Sequence, residues 1–339
     1  MRSVQVHAVS RARGSDSLVV RVTDIPEPTA GQARVRIAAA GVSYGDLLFQ
    51  RGVVPGGPKP PFVPGCDLTG VVESVGPGVA GVEPGDRVTA LVVSAGYSSV
   101  LNVPVERLVP VPADLDPIQV AAVSLNYFIA YQMLHRIAQV RSGQRILVHG
   151  ASGGVGLALL QLAEQIGDVQ VWGTSSARNL ELVGKFGATP IDYRAENVFE
   201  VVKAAGGSVD AVFDHIGGTH FWRSYTVLRR GGRLVAYGQN DALRDGRPNM
   251  RVGAIGFLGG ILAPKLIPDG RRTGFYNAWA LEKSHPTAYR DDLTHVLTLL
   301  AAGRVAPRSI TVLPLREADM AFRTLEEGVT GKIVLDTSA

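Results

Sequence analysis

The chain has 339 residues, of which 46% are hydrophobic and 19% are charged, with 40 Gly and 20 Pro. This length exceeds what one hydrophobic core usually covers, so we expect two domains, and the composition excludes disordered, fibrous and coiled-coil proteins. Lys and Arg outnumber Asp and Glu by 34 to 30 and are scattered along the chain, so we expect no nucleic-acid partner.

The cysteine count and the amino terminus bear on the compartment. Cys66 is the only cysteine, which excludes an internal disulfide and a cysteine-rich zinc site. The first residues, MRSVQVHAVSRARG, lack the apolar run of a signal peptide. The most apolar stretch, Val252 to Pro264, is too short and too rich in glycine to cross a bilayer as a helix. We therefore expect a cytoplasmic protein without a membrane span, in which that stretch is a buried element or a subunit contact.

The first third of the chain has a β pattern. Short apolar runs lie between Gly and Pro turns, as is typical of a barrel or sandwich. These runs include Leu18 to Val22, Ala33 to Ile37, Gly70 to Val75 and Arg87 to Val93. Near Pro117 the period changes, and the apolar density of Ile118 to Val140 predicts one or two buried helices. We expect a second domain to begin in this region.

From Gln144 onward, predicted strands and helices alternate. The predicted segments are Arg145 to His149, Gly154 to Ile166, Val169 to Trp172, Leu180 to Phe186, Thr189 to Asp192, Val198 to Ala205, Val209 to Phe213, Phe221 to Leu228 and Arg233 to Tyr237. This alternation is typical of βαβ units in a doubly wound parallel sheet with helices on both faces.

The last part of the chain follows an irregular segment from Asn240 to Thr273. A short strand near Phe275 and a helix over about 287–302 are predicted there, and they lead to the segments Ile310 to Leu315, Glu317 to Glu326 and Ile333 to Leu335. Because this part returns to β character, we expect it to complete the first domain. The predicted domains are therefore residues 1–123 with 282–339, and residues 124–281.

A glycine-rich loop carries the sharpest functional signal. The predicted strand ending at His149 is followed by Gly150-Ala151-Ser152-Gly153-Gly154-Val155-Gly156 and then by an amphipathic helix. Glycines let the backbone approach a pyrophosphate, and the free N–H groups of the helix attract it. A tight turn without a ligand is the alternative, but the position between a strand and a helix favours dinucleotide binding through Ser152, Gly153, Gly154 and Val155.

The residues after the second predicted strand indicate which dinucleotide the chain binds. NAD enzymes place Asp or Glu there to bind the ribose 2′-hydroxyl, whereas this chain has Thr174, Ser175, Ser176 and Arg178. Hydroxyls and a guanidinium suit a 2′-phosphate, so we expect NADPH. The alternative is that Arg178 is an ordinary solvated helix residue.

Two further strand ends lie at the edge where doubly wound sheets bind ligands. They are followed by Asp214 to Gly218 and by Tyr237-Gly238-Gln239. We expect Gly238 and Gln239 to lie near the ribose and the nicotinamide. His215 is a candidate acid, although a histidine beside a glycine turn is more often structural.

With these residues the chain resembles the zinc-independent quinone oxidoreductases (zeta-crystallin type) of the medium-chain dehydrogenase/reductase superfamily. Within that group it is most similar to the branch that contains the vertebrate synaptic-vesicle membrane protein homologues. The shared motifs are Ala40 to Asp46, Pro64 to Val72, Gly85 to Val88, Leu125 to Tyr127, Ala130-Tyr131, Gly150 to Gly156, Ile191 to Tyr193, Gly274-Phe275 and Gly331 to Leu335.

The resemblance implies a fold and an assembly. The fold is a GroES-like β-barrel domain joined to a Rossmann-type doubly wound domain, with NADPH in the cleft, and the usual assembly is a homodimer. The resemblance also implies that Tyr193 lies near the adenine or the 2′-phosphate, and Phe275 near the nicotinamide. On its own, Tyr193 would read as a half-buried tyrosine.

The resemblance also bears on metal chemistry. Zinc-dependent relatives have Cys at the position of Ser43 and His-Glu at the positions of Cys66-Asp67, and often carry a four-cysteine lobe further on. A catalytic zinc needs about three ligands of these kinds, and those positions lack them. We therefore expect no metal.

The expected reaction is hydride transfer to a quinone or to an α,β-unsaturated carbonyl compound. Related quinone reductases have Asn at the position of Ser43 and usually a tyrosine in the Gly52 to Pro55 segment, so an enone, an alkenal or an enoyl thioester fits equally. Hydrogen-bond donors must then stabilise the substrate oxygen. We expect Tyr44, Ser43 and Tyr127 to be these donors, with Tyr44 or water supplying the proton.

Two alternatives stay open. Tyr44 and Tyr127 could be interface aromatics with satisfied hydroxyls. The whole chain could also be a nucleotide-binding protein whose role is mainly interaction rather than catalysis.

Overall fold

The computed structural model describes residues 1–12, 17–244 and 247–338. The chain divides into two units: unit 1 is Met1–Phe128 with Thr287–Ala339, and unit 2 is Ile129–Pro286. The predicted domain boundaries at 123/124 and 281/282 lie five residues before these divisions. The first division falls inside the helix Pro117–Tyr131, in the region where the sequence period changes.

The N-terminal part of unit 1 is mainly β. Its elements are β1 (Arg2–Ala8), β2 (Leu18–Asp24), β3 (Gln32–Val42), α1 (Tyr44–Arg51), β4 (Asp67–Val75), β5 (Arg87–Leu91), β6 (Val100–Pro104), β7 (Val109–Pro110) and α2 (Pro117–Tyr131). β1 and β2 pair as an antiparallel hairpin. β3 is the centre of the main sheet because it pairs with both β4 and β6, so its side chains are mostly buried.

Unit 2 follows in the chain with alternating strands and helices. Its elements are β8 (Arg145–Val148), α3 (Gly154–Ile166), β9 (Gln170–Ser175), α4 (Leu180–Gly184), β10 (Thr189–Asp192), α5 (Val198–Ala204), β11 (Val209–Asp214), α6 (His220–Thr226), β12 (Leu228–Ala236), β13 (Leu243–Arg244), β14 (Arg247–Pro248), α7 (Met250–Gly256), β15 (Arg272–Phe275) and α8 (Ala278–Ser284). Before β8, residues Gln132–Ala138 form a π-helical turn.

The C-terminal part of the chain belongs to unit 1. Its elements are α9 (Ala288–Ala301), β16 (Ile310–Pro314), α10 (Ala318–Glu327) and β17 (Lys332–Asp336). β17 pairs antiparallel with β3, so the main sheet has the order β16-β17-β3-β4-β5-β7, with β6 also on β3. Its core is apolar, with Ala33, Val35, Ile37, Leu68, Val72, Val88, Ala90, Val103 and Leu108 all buried.

The sheet of unit 2 is parallel throughout, in the order β10-β9-β8-β11-β12-β15. This is the doubly wound arrangement that the alternating pattern predicted, in a Rossmann-type order. The chain order reverses between β8 and β11, and the carboxyl ends of these two strands are where such sheets bind ligands. Large side chains, among them Trp172 and Phe221, fill the core beside the sheet.

The segment from Asn240 to Thr273 was expected to be irregular, and this expectation was wrong for most of it. α7 continues into a π-helical turn, Phe257–Leu262, and a 3₁₀ turn, Ala263–Leu266. Its glycines obscured the helical period, but they allow close packing: a Cβ on Gly256 would lie 2.6 Å from the amide nitrogen of Gly218. Residues 245–246 of this segment lie outside the described part of the chain.

Candidate functional site

The glycine-rich loop joins β8 to α3 in unit 2. Gly150 has a φ of +64°, in the left-handed region that glycine adopts without strain. A Cβ on Gly156 would overlap the carbonyl oxygen of Gly150, so the bend is tight enough to require glycine there as well. Helix α3 begins at Gly154, and its N-cap Gly153 has no side chain with which to cap the first amides. These amides can therefore bind an anion, in the position the sequence predicted for a pyrophosphate.

The neighbouring strand ends carry the polar residues predicted to bind the 2′-phosphate. Ser176 is half-buried and Arg178 is exposed at the end of β9, and Tyr193 is 51% exposed at the end of β10, where the Arg194 guanidinium lies 5.6 Å from its ring centre. In the loop, Ser152 Oγ accepts a hydrogen bond from Asn179 Nδ2 at 3.2 Å. β8, β9 and β10 are adjacent in the sheet, so their ends form one edge of unit 2.

Two of the residues predicted to bind the 2′-phosphate, Thr174 and Ser175, have buried side chains. Thr174 and Ser175 are each 2% exposed. Thr174 Oγ1 accepts a hydrogen bond from the Gly150 amide at 3.1 Å, and Ser175 Oγ donates to the Ser176 carbonyl oxygen at 3.3 Å. The side chains of Thr174 and Ser175 thus hold the loops together, and their contact with the cofactor stays a prediction.

The other half of the edge is formed by the ends of β11, β12 and β15. Gly217 and Gly218 have φ values of +90° and +56°. A Cβ on Gly238 would lie 2.9 Å from the His215 carbonyl oxygen, so these two loops pack closely. Gln239 is half-buried beside them, and Phe275 ends β15 with 39% of its surface exposed.

The structure places His215 against the glycine-rich loop. Its Nδ1 lies 2.9 Å from Asn240 Nδ2, which can only donate, so Nδ1 accepts and the neutral ring carries its proton on Nε2. The ring packs on Gly150 so tightly that a Cβ there would overlap it. Burial, opposed by the attraction of Asp214, lowers the pKa of His215. Its ring therefore stays neutral at pH 7, which favours the structural interpretation over an acid.

A buried polar cluster that the sequence did not predict lies behind the loop. Asp214 Oδ2 accepts hydrogen bonds from His220 Nδ1 at 2.7 Å and from Ser224 Oγ at 2.6 Å, and Oδ1 accepts from the Ile216 amide at 2.7 Å. Ser224 Oγ also lies 3.2 Å from His149 Nε2. Burial would raise the pKa of Asp214, but the His220 and Ser224 hydrogen bonds lower it. Burial lowers the pKa of His149 to about 3, against the attraction of Asp214.

The same cluster is the one group of potential metal ligands among the described residues. Ligand atoms of His149, Asp214 and His220 all lie within 4.8 Å of one another. Each oxygen of the carboxylate already accepts a hydrogen bond from protein, so the cluster is satisfied as it stands.

In unit 1, Ser43 caps helix α1. Its Oγ accepts from the Asp46 amide at 3.2 Å and donates to Asp46 Oδ2 at 2.7 Å, and its own amide donates to the same carboxylate at 2.8 Å. This is a capping box, with Asp in the place of Glu. The hydroxyl proton of Ser43 is thus used within the helix cap, and its donation to a substrate oxygen stays a prediction.

Asp46 gathers the polar groups around this cap. Besides Ser43, its carboxylate accepts from the Gly65 amide at 3.1 Å, from Cys66 Sγ at 3.2 Å and from Tyr97 Oη at 3.1 Å. Burial raises the pKa of Cys66 well above its usual value, and the Asp46 charge adds to this effect. The positions at which zinc-dependent relatives carry ligands thus hold a serine and a protonated thiol that are hydrogen-bonded to one carboxylate.

Tyr44 and Tyr127, the two tyrosines predicted to donate to the substrate oxygen, differ in exposure and in hydrogen bonding. Tyr44 is half-buried at the first turn of α1, and burial together with the Glu326 charge raises its pKa, with Arg51 opposing. It therefore stays protonated and can donate a hydrogen bond. Tyr127 is 3% exposed, and its hydroxyl donates to the Ala306 carbonyl oxygen at 3.2 Å. Its hydroxyl proton is thus directed to backbone, and its donation to a substrate oxygen stays a prediction.

No helix within the described ranges combines the length and the apolar character that crossing a bilayer requires. The apolar stretch around Val252 instead forms α7 and the turns that follow it.

Comparison with known proteins agrees with this architecture. Residues 29–113 match the alcohol dehydrogenase GroES-like domain, and residues 186–335 match a family described as zinc-binding dehydrogenase. The synaptic vesicle membrane protein VAT-1 homologues of Danio rerio and Rattus norvegicus are each 32% identical to this chain, over 317 and 315 residues. These matches cover 92% and 91% of this chain, but 65% and 78% of the two relatives. The chain thus spans less than two thirds of the Danio rerio protein.

One similar solved structure contains a nucleotide. The quinone oxidoreductase of Escherichia coli, solved in complex with NADPH, is similar to this chain with a TM-score of 0.83 at 25% sequence identity. The match covers 98% of this chain and 99% of the bacterial one.

Proposed function

Because this chain belongs to the medium-chain dehydrogenase/reductase superfamily, in the branch of the VAT-1 homologues, we propose that it is an NADPH-dependent reductase of quinones or α,β-unsaturated carbonyl compounds. The observation that carries this proposal is the glycine-rich bend between β8 and α3, which ends in uncapped helix amides. Those amides favour a diphosphate, and the similar bacterial quinone oxidoreductase was solved with NADPH.

The residues of unit 2 fit this cofactor. The Gly153 to Val155 amides would hold the diphosphate, and Ser176 and Arg178 would hold the 2′-phosphate, with Ser152 and Tyr193 beside them. Gly238, Gln239 and Phe275 would lie toward the nicotinamide, at the ends of β12 and β15. When bound, NADPH supplies the hydride.

We propose that Tyr44 donates a hydrogen bond to the substrate oxygen. Its raised pKa keeps the phenol protonated, so it can donate a hydrogen bond to a carbonyl oxygen that gains negative charge. The same raised pKa makes it a weak acid, so we assign the final proton to water rather than to Tyr44. We propose that no metal takes part, because Ser43 and Cys66 are hydrogen-bonded to Asp46 where zinc-dependent relatives carry ligands.

The test is consumption of NADPH with a panel of quinones, enones, alkenals and enoyl thioesters. The wild type should oxidise NADPH stoichiometrically with at least one class. Tyr44→Phe should lower kcat by about tenfold to a hundredfold and leave NADPH affinity unchanged, because it removes one donor to the developing charge. Tight NADPH binding without turnover of any compound would instead favour a binding protein.

We also propose that the protein is a homodimer formed through unit 2. β15 pairs only with β12 among the described strands, so its outer edge is open. Beside it, Ile255, Leu258, Leu262 and Leu266 are 40–87% exposed along the helical segment 250–266. Thr273 Oγ1 donates to the Ile261 carbonyl oxygen at 2.6 Å, which ties the strand to that segment. A strand edge can pair with its own copy about a two-fold axis, and the apolar stripe would then be covered.

Sedimentation should report a dimer for the wild type. Leu258→Glu should give a monomer, because it places a charge in the apolar stripe, whereas Lys265→Glu, which exchanges one exposed charge for another, should remain dimeric. A wild type that sediments as a monomer at micromolar concentration would rule this interface out.

A further inference from the structure

The cluster behind the glycine-rich loop forms a continuous chain of hydrogen bonds. It starts at the Gly150 amide, which donates to Thr174 Oγ1 at 3.1 Å, and Thr174 Oγ1 lies 3.5 Å from His149 Nδ1. From His149 Nε2 the chain continues to Ser224 Oγ at 3.2 Å and to Asp214 Oδ2 at 2.6 Å. It thus connects Gly150, the first residue of the glycine-rich loop, with Asp214, the last residue of β11.

The Asp214 carboxylate, at the end of this chain, determines which atom of each hydrogen bond carries the proton. A carboxylate only accepts, so the single proton of Ser224 goes to Asp214. His149 Nε2 must then donate to Ser224, which leaves Nδ1 of the neutral ring as an acceptor for the Thr174 hydroxyl. Thr174 in turn is free to accept from the Gly150 amide. Every donor in the chain therefore has one acceptor, and the four hydrogen bonds run in one direction.

The chain also fixes the second loop of the site. The Ile216 amide donates to Asp214 Oδ1 at 2.7 Å, immediately before Gly217 and Gly218. His149, Asp214, Ser224 and Thr174 are all no more than 2% exposed, so water does not compete for these bonds. One carboxylate thus holds both loops at the point where the strand order reverses.

We propose that Asp214, acting through Ser224, His149 and Thr174, positions the glycine-rich loop so that its amides converge on the diphosphate of the cofactor. This inference rests on the proposed function, since it needs a dinucleotide at the loop. We treat these four as positioning residues, because their side chains are buried and bind one another. Their removal affects the affinity for a diphosphate and not the affinity for the 2′-phosphate end.

The experiment compares two ligands on matched variants of the full chain. NADPH carries the diphosphate, whereas 2′-AMP carries only adenosine and the 2′-phosphate. Thr174→Val removes the hydroxyl at nearly constant shape, Thr174→Ser keeps it, and Ser224→Ala cuts the chain at its middle. Thr273→Val is the control, because it removes a threonine hydroxyl of unit 2 that donates to the Ile261 carbonyl oxygen, outside this chain. Dissociation constants are measured by calorimetric titration.

We expect Thr174→Val and Ser224→Ala to bind NADPH about tenfold more weakly than the wild type, since the loop loses one buried hydrogen bond. Their affinity for 2′-AMP should stay within about twofold. Thr174→Ser should restore NADPH binding, and Thr273→Val should leave both ligands unchanged.

Unchanged NADPH affinity in Thr174→Val and Ser224→Ala would overturn the inference. An equal loss of NADPH and 2′-AMP binding would also overturn it, because the cluster would then merely stabilise unit 2. A wild type that binds 2′-AMP but not NADPH would contradict the proposed cofactor itself, which separates that failure from the failure of the positioning role.

Discussion

Each unit has a buried carboxylate at one end of a sheet strand: Asp214 ends β11 in unit 2, and Asp67 begins β4 in unit 1. The two carboxylates differ in their hydrogen-bond partners. In unit 2, Asp214 accepts three hydrogen bonds, and its pKa is held below the usual value although burial opposes this. In unit 1, Asp67 Oδ1 accepts one bond from the Gly41 amide at 2.5 Å, while Oδ2 lies 3.7 Å from Lys332 Nζ. Among the described atoms, neither Asp67 Oδ2 nor Lys332 Nζ has a hydrogen-bond partner. Burial therefore raises the pKa of Asp67 to about 6, with Lys332 opposing.

The difference indicates that several hydrogen-bond donors lower the pKa of a buried carboxylate further than one opposite charge at 3.7 Å does. A loose ion pair recovers little of the cost of removing two charges from water. A carboxylate with several short donors recovers most of it. The carboxylate with several donors belongs to the loops that we assign to the cofactor, and the weakly paired one belongs to the β unit.

The largest effect should come from removing the charge in unit 2. Asp214→Asn places an amide N–H₂ among groups that donate, so we expect unit 2 to lose about 3 kcal/mol of stability. Hydrogen exchange of the amides in β8 and β11 measures this free energy of local unfolding. Asp168→Asn makes the same change at an exposed position of the same unit and should cost less than about 0.5 kcal/mol. Equal costs in the two variants would remove the contrast on which the comparison rests.

The pH dependence should have opposite signs in the two units. The pKa of Asp67 is raised to about 6 from 3.8, so its contribution to stability is fully present below pH 3.8 and is lost as pH rises through 6. The pKa of His149 is lowered to about 3 from 6.5, so its contribution is present above pH 6.5 and is lost as pH falls. Between pH 6.5 and pH 4.5, each effect amounts to about 2 kcal/mol.

Two variants separate these effects. Asp67→Asn should make the loss of stability on acidification steeper, because it removes the gain in unit 1. His149→Gln should make that loss shallower, because a neutral amide takes up no proton. Hydrogen exchange read separately in the strands of each unit between pH 6.5 and pH 4.5 measures both. A shift of the same sign in both variants would show that these two groups do not govern the acid response.

Much of the fold was predictable from local pattern. The alternation from Gln144 onward predicted the strands and helices of unit 2, and Thr189–Asp192 and Gly154–Ile166 were predicted with their observed bounds. The pattern failed between Asn240 and Thr273, where glycines that pack against Gly218 and Phe221 break the apolar period of a helix. Glycine at a close contact carries no hydropathy signal, so a local rule counts it as a turn.

The site was predictable where it depends on one loop and not where it depends on strand order. The glycine-rich bend and the residues after β9 follow directly from local sequence. The link between His149, Asp214 and Ser224 does not, because β8 and β11 are neighbours only through the reversal in the sheet. The hydrogen-bond partners of Ser43, Thr174, Ser175 and Tyr127 were unpredictable for a related reason, since burial and partners are properties of the folded chain. A local signal existed for Ser43 alone: Ser43-Tyr44-Gly45-Asp46 has the spacing of a capping box.

The central claim is that unit 2 binds NADPH through its glycine-rich loop, with Arg178 on the 2′-phosphate. Calorimetric titration of the wild type and of Arg178→Ala with NADPH and with NADH tests it most directly. We expect the wild type to bind NADPH saturably and at least about tenfold more tightly than NADH, and we expect a smaller ratio in the variant. No saturable heat with either nucleotide, or the same ratio in both proteins, would contradict it.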